Sequence, residues 1–302
     1  MDDQTDLPAA PQIEHCYRHP GEETLVHCTR CGRPICPQCM IPAPVGHHCP
    51  DCVAEARREF RQGPGRKMAI AGFSFTKAIL AAILAVYAIE ISKGGAGSLF
   101  EGPSGQQLFD LGADFPPAIA VFGQYWRFVS SMFLHIGLIH LAFNCYALWL
   151  LGTQVERLFG RARFLAIYFL AGILGGVASY AFGDPLAVGA GASGAVFGLM
   201  GAFLAFNYLR RNQAVARMNL QWVWQILFLN LILAIMIRAI DFRAHLGGLV
   251  AGVVAGYLFD RDRVRLSPGL RVLGFVALIG AGVALVVWRN ADLRSQFPAA
   301  LT

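Results

Sequence analysis

Two sets of residues in this chain have types and spacings suited to chemistry. The first is Cys16-x2-His19, Cys28-x2-Cys31, Cys36-x2-Cys39 and Cys49-x2-Cys52, four pairs each with two intervening residues. A two-residue gap lets a tight turn aim both side chains at one tetrahedral zinc. Four pairs supply eight ligands, enough for two Zn2+ ions with no coordination position left open. Such sites are structural, and a segment of about forty residues needs them, because it cannot build a sufficient core alone. The second set is Ser193, His245, His140 and Asn144, polar side chains inside otherwise apolar runs. In hydrocarbon such groups are costly, and by default they mark function. A serine with a histidine base within hydrogen-bond reach can attack a carbonyl carbon. The oxyanion formed needs donors. His140 and Asn144 are four residues apart, on one helical face, and with the backbone N–H of Ser193 they suit that role.

Each of these residues also has a plainer reading. Ser193, in Gly191-Ala192-Ser193-Gly194, is a good helix N-cap. His245 opens an apolar run as an interfacial residue would. His140 and Asn144 glue helices through hydrogen bonds. Cys145 reads as a small buried apolar residue.

Composition supplies the elements that must position them. The chain has 302 residues, 56% hydrophobic and 15% charged, where soluble proteins carry nearer a quarter charged. Seven apolar runs of helix-spanning length fall at about 68–91, 130–151, 164–182, 193–209, 219–237, 244–259 and 271–288. The fold class expected is an all-α polytopic membrane protein, with six core spans, a C-terminal seventh and a small N-terminal zinc-binding domain. Residues 1–14 read as a disordered tail, 15–52 as the zinc-binding domain, 53–67 as a basic linker, 68–288 as the membrane domain and 289–302 as a C-terminal tail.

The net charge of +6 lies mostly in short loops between apolar runs, so it argues for membrane topology and against nucleic acid. Loops 56–67, 152–163, 210–218 and 260–271 carry fifteen Lys and Arg, and the opposite loops carry six. This asymmetry predicts a cytoplasmic N-terminus and an outer C-terminus. Ser193, His245, His140 and Asn144 then share the outer half. The cysteines lie inside, where thiols stay reduced, which argues against disulfides. The first 60 residues lack the apolar region of a signal peptide. Arg outnumbers Lys 22 to 3, a genome composition that suggests a bacterial inner or plasma membrane.

Glycines place the fourth and sixth runs together. Gly248, Gly252 and Gly256 repeat every four residues, and Gly194, Gly198 and Gly201 offer a matching small face. If these faces meet, Ser193 and His245 become neighbours. No intramembrane Asp or Glu stands ready as a third member, so a Ser–His dyad is expected.

These motifs together resemble the rhomboid family over about residues 68–288. The resemblance rests on Gly191-x-Ser193-Gly194, Ala244-His245 with its glycine repeat, and His140-x3-Asn144. Trp126-Arg127, His135 and Gly152-x3-Glu156-x3-Gly160 extend it. It implies an intramembrane serine endopeptidase. Ser193 and His245 would form the dyad, and His140, Asn144 and the Ser193 amide the oxyanion hole. Trp126, Arg127, His135 and Glu156 would be structural. Phe197 stands where some members have Tyr stacking on the catalytic His. The cysteine run resembles a B-box-type zinc finger. On that resemblance Cys16, His19, Cys36 and Cys39 share one ion, and Cys28, Cys31, Cys49 and Cys52 the other. It departs from the common pattern, which ends in His, so His47 or His48 could replace a ligand. The implied partners are single-span membrane-protein substrates, the lipid bilayer and a protein partner of the zinc domain, with no nucleic acid. The alternative function is a catalytically inactive rhomboid-like protein that binds membrane clients. A proton-relaying transporter lacks the usual acids, and no His-Glu-x-x-His is present for a metalloprotease.

Overall fold

A computed structural model describes residues 13–43, 46–62, 73–92, 102–237 and 240–296. Residues 1–12 of the expected tail, 63–67 of the linker, 68–72 of the first run and 297–302 lie outside the described residues. The chain divides into two compact units, Met1–Phe73 and Ser74–Thr302.

The first unit is built on short hairpins. Strand β1 (Glu14–His15) pairs with β2 (Glu23–Thr24), and β3 (Ile41–Pro42) with β4 (His47–His48), both antiparallel. Its small core consists of buried cysteines around Ile35. Helix α1 (Pro50–Gln62) follows. The segment expected as a linker is therefore helical as far as Gln62. VAEARREFRQ is rich in strong helix formers, and Gly63 and Pro64 come only after it.

The second unit is a helical bundle. Among the described residues six of its helices are long and apolar enough to cross a membrane: α2 (Phe75–Ser92), α6 (Leu138–Phe159), α7 (Arg161–Phe182), α9 (Ala214–Met236), α10 (Phe242–Phe259) and α11 (Pro268–Gln296). Helix α8 (Ser193–Tyr208) is apolar but shorter. Three short helices precede α6: α3 (Gly105–Asp110), α4 (Pro116–Phe122) and α5 (Arg127–Ser130). Both boundaries of the second span move. The second span starts at Leu138 instead of 130 and runs past 151 to Phe159. The preceding apolar residues fold instead as α5 and a tight turn over Ser131–Phe133. There Arg127 donates to the carbonyls of Phe109 and Ala113 at 2.8 and 2.9 Å. The expected C-terminal tail is helical to Gln296, because Asn290 and Leu293 are buried against the bundle.

Helix α8 is the centre of the bundle, nearly all buried. It packs most extensively on α10. The contact is backbone on backbone. A Cβ on Gly248 would overlap the Gly194 carbonyl, one on Gly252 the Gly198 carbonyl, and one on Gly256 would lie 2.7 Å from Ala202 Cα. Carboxylates hold the periphery. Glu156 on α6 accepts from the Thr76 amide (3.1 Å), the Phe75 amide (2.9 Å) and the hydroxyls of Ser74 and Thr76 (both 2.7 Å). It thereby caps α2 from a neighbouring helix, meeting the orphan amides every helix start leaves.

The seam should be intolerant of a single methyl. Gly252→Ala should destabilise the bundle by about 1–3 kcal/mol in thermal unfolding of the detergent-solubilised protein. Gly280→Ala, where an added Cβ meets nothing within 4 Å, should not.

Candidate functional site

Ser193 is the first residue of α8. The N-cap position is Ala192, with no side-chain capping bond. Its hydroxyl is thus not spent on a cap, against the plainer reading of the sequence. Its amide belongs to the first turn, whose N–H groups lack intrahelical partners. The approach to Ser193 runs through the 183–192 segment, which is tied down twice. Asp114 and Gly189 exchange N–H···O bonds of 2.8 Å, and the Gly191 amide donates to the Ser131 carbonyl at 2.9 Å. Gly191 has φ +141°, and a Cβ there would lie 2.7 Å from His140 Cε1 and 3.8 Å from Ser193 Oγ. Glycine is required at this position for both reasons. The His140 ring and the serine hydroxyl thus both face the Gly191 position.

His245 lies in the first turn of α10. Its ring stacks on Phe197 of α8, with centroids 4.1 Å apart and planes 12° apart. The Ala244 carbonyl sits 3.5 Å from where a Gly194 Cβ would be, so the starts of α8 and α10 adjoin. Among the described residues no hydrogen bond joins Ser193 Oγ to His245. Catalytic hydrogen bonds are often long without substrate and tighten when it binds. Asn144 is buried and donates from Nδ2 to the His140 carbonyl at 3.0 Å. An amide carries two N–H groups, so one is uncommitted by that bond. The His135 ring lies 5.2 Å from that of His140. A small cavity of about 50 Å³ opens beside His245, lined by Phe197, Leu227, Asn230, Leu231, Phe242 and neighbouring leucines. Its outer wall is α9, the least packed helix of the bundle around the serine.

Two acids, Glu90 and Glu156, lie on helices long enough to span, and neither is bonded to His245. Glu90 is fully buried and accepts from the His135 amide at 3.1 Å, and Glu156 caps α2. The sequence reading missed Asp241. It is the N-cap of α10, accepting from the amides of Arg243 and Ala244 at 3.1 and 3.2 Å, and Ser179 of α7 donates to its other oxygen. Its signal was legible: an Asp four residues before the histidine, where a helix begins. Asp114 carried no such signal.

In the N-terminal unit the ligand atoms gather into two groups among the described residues. One is Cys16, His19, Cys36 and Cys39, the other Cys28, Cys31, Cys49 and Cys52, with atoms within 4.8 Å of one another in each. His19 Nδ1 lies 3.2, 3.4 and 3.9 Å from the sulfurs of Cys36, Cys39 and Cys16. Ligands on one tetrahedral zinc stand roughly 3.5–3.8 Å apart, so both groups fit a metal ion. His47 and His48 form β4, opposite Pro42 and Ile41 of β3, and belong to neither group. Arg33 donates to Cys31 Sγ at 3.3 Å and holds that thiol below its ordinary range.

The family described as "Rhomboid domain" matches residues 122–262. The chain is 35% identical over 206 residues to "Rhomboid protease GluP" of Bacillus subtilis, covering 68% of this chain and 38% of that one. It is 35% identical over 208 residues to "RHOMBOID-like protein 6, mitochondrial" of Arabidopsis thaliana, covering 62% and 67%. It is 30% identical over 194 residues to "Rhomboid-like protease 3" of Toxoplasma gondii, covering 61% and 70%.

The tie through Asp114 should be sensitive to pH. Burial pushes this carboxyl up to about 8, the nearby Asp241 adds to the rise, and Arg127 opposes it. Folding therefore favours the protonated form. The stability it contributes is full at low pH and is lost as pH rises through about 8. Asp114→Asn stays neutral throughout. Its Tm advantage over wild type should grow by several degrees from about pH 4 to about pH 8 and then level off.

Proposed function

Since the chain belongs to the rhomboid family and is a multi-pass membrane protein, we propose that it is an intramembrane serine endopeptidase cutting peptide bonds in or near transmembrane helices. The observation that carries this reading is the convergence at the start of α8. Ser193 and His140 flank Gly191, and His245 stacks on Phe197 one turn below the serine.

The reaction proceeds as acyl transfer. A single-span substrate helix enters past α9, the loosely packed wall beside the His245 cavity. It unwinds near the cut, because backbone in hydrocarbon otherwise stays internally bonded. His245 accepts the Ser193 proton as Oγ attacks the carbonyl carbon. The Ser193 amide, His140 and the uncommitted N–H of Asn144 donate to the oxyanion. The C–N bond breaks as His245 protonates the departing amine. Water, deprotonated by His245, then hydrolyses the ester and frees Ser193. Phe197 and the Asp241 cap hold His245 by packing and by anchoring its helix. Helix α8, with 16 residues at about 1.5 Å each, is shorter than the roughly 30 Å hydrocarbon core. A buried start for this helix accords with chemistry below the membrane surface.

The charge asymmetry of the loops supports a cytoplasmic N-terminus and an outer C-terminus, and the excess of Arg over Lys supports residence in a bacterial plasma membrane. The cysteine groups would hold two structural Zn2+ ions. Cys16, His19, Cys36 and Cys39 would bind one, and Cys28, Cys31, Cys49 and Cys52 the other. Zinc there supplies cross-links to a unit with little core of its own. The module serves to bind a protein partner and takes no part in the cut.

Two measurements test these readings. Ser193→Ala and His245→Ala should each lower cleavage of a model single-span substrate by at least about a thousandfold at unchanged protein level, and a fluorophosphonate should label wild type at Ser193. A wild-type protein that folds yet is neither labelled nor active would instead be a client-binding relative. Metal analysis should find two zinc ions per chain. Cys28→Ser should remove one, leaving the rate of Ser193 labelling unchanged.

A further inference from the structure

Helix α11 lies outside the six spans around the serine, and its central stretch is apolar and almost unburied. Its polar contacts are concentrated at the ends. At one end Arg271 donates to the carbonyls of Leu258 and Val264. At the other a denser cluster forms. Arg289 donates from Nε to the Tyr180 carbonyl at 3.3 Å and from Nη2 to the Gly183 carbonyl at 3.2 Å. Asp292 pairs with the same guanidinium and presets it. Asn290 is buried and bridges two tyrosines, donating to the Tyr125 hydroxyl at 2.8 Å and accepting from the Tyr180 hydroxyl. Arg294 donates to the Ala120 carbonyl at 2.8 Å. Leu293 is fully buried among Ile119, Phe128 and Tyr180.

The groups that receive these bonds matter more than their number. Tyr180 and Gly183 are the end of α7, where a helix leaves its last carbonyls without internal partners. Gly183 is also the first residue of the segment that delivers Ser193. Ala120 and Tyr125 belong to the 114–131 stretch, whose two ends hold the same segment, Asp114 at Gly189 and Ser131 at Gly191. Phe128 packs edge-on against Tyr180, 5.6 Å between centroids, and closes the contact. Helix α11 thus joins the start of the serine segment to the structure that holds its end. An arginine shared between two carbonyls is a rigid fork, and a lysine cannot reproduce it.

We propose that α11 is a brace for the active-site segment, with Arg289 and Asn290 as positioning residues for Ser193. This rests on the protease reading given above. A nucleophile misplaced by about 1 Å loses on the order of a hundredfold in rate. Loss of the brace therefore acts on turnover, while the substrate's path past α9, on a different helix, is untouched.

The test uses the full chain in proteoliposomes. Asn290→Leu, Arg289→Lys and Arg289→Gln are compared with Val287→Ala, a change on the exposed face of the same helix. Measured for each are Tm, kcat and KM for a model single-span substrate, and the rate of fluorophosphonate labelling, all well below the lowest Tm. The Asn290 and Arg289 variants should lose about tenfold or more in both kcat and labelling rate, with KM within about twofold and Val287→Ala at wild-type values. Tyr180→Phe combined with Asn290→Leu should cost little more than Asn290→Leu alone, since Asn290→Leu already removes the bond to Tyr180. Folded variants with wild-type kcat and labelling would overturn the brace. So would losses that merely track the unfolded fraction. Hydrogen exchange of the 183–192 amides decides independently: it should quicken in Asn290→Leu, and unchanged exchange would overturn the proposal. A wild type that resists the probe sinks the protease reading instead, and the exchange measurement then judges the brace alone.

Discussion

The bundle depends on one close approach, the glycine faces of α8 and α10 pressed onto each other's backbone. Lipid gives little hydrophobic reason for helices to associate, so contact at van der Waals distance must supply it. Gly194 meets Gly248, Gly198 meets Gly252, and Ala202 meets Gly256. Each pair is separated by the same number of residues, so the two helices run parallel in one register. A bulky side chain in any pair would push them apart along the whole seam. That register is what carries His245 to the level of Phe197 and Ser193. The meeting of His245, Phe197 and Ser193 is thus a by-product of packing one turn deeper.

Around this seam the polar side chains act mostly at helix ends. Glu156 meets the amides at the start of α2, Asp241 those at the start of α10, and Arg289 the carbonyls at the end of α7. The logic is common to all three. Glu156 and Arg289 are largely packed away at these ends, and a buried amide or carbonyl without a partner is expensive. The Arg210–Asp260 pair gives the opposite side of the bundle a similar lock between α8 and α10, and Asp260 also accepts from the amides of Asp262 and Arg263.

Periodic features were legible in the sequence and solitary ones were not. The four-residue glycine repeat and the two-residue gaps between cysteines each state a geometry, and the helices and the sulfur groups follow them. The second span was misplaced because Phe128–Phe133 is as apolar as a span, while the Arg127 bonds that fold it into turns come from distant carbonyls. The residues after 288 read as a tail because Arg289, Asn290 and Arg294 look like solvent-facing ends. Their partners, Tyr180, Gly183 and Ala120, lie more than a hundred positions earlier. Glu90 hid inside an apolar run for the same reason: nothing local announces that the His135 amide awaits it. Asp241 was the exception, a cap signal in plain sight.

Helix α6 contains a wide turn at Leu148–Gly152, where the backbone takes up π-helical bonding between two α-helical stretches. Such a turn accommodates one residue more than a regular helix would. One residue is about 100° of rotation. The stretch bearing His140 and Asn144 and the stretch bearing Glu156 are therefore phased separately, as though a helix had been cut and rejoined with a twist. A regular helix of the same sequence could aim its first half at the serine or its second half at the start of α2, but not both. The wide turn lets one continuous rod serve two unrelated neighbours.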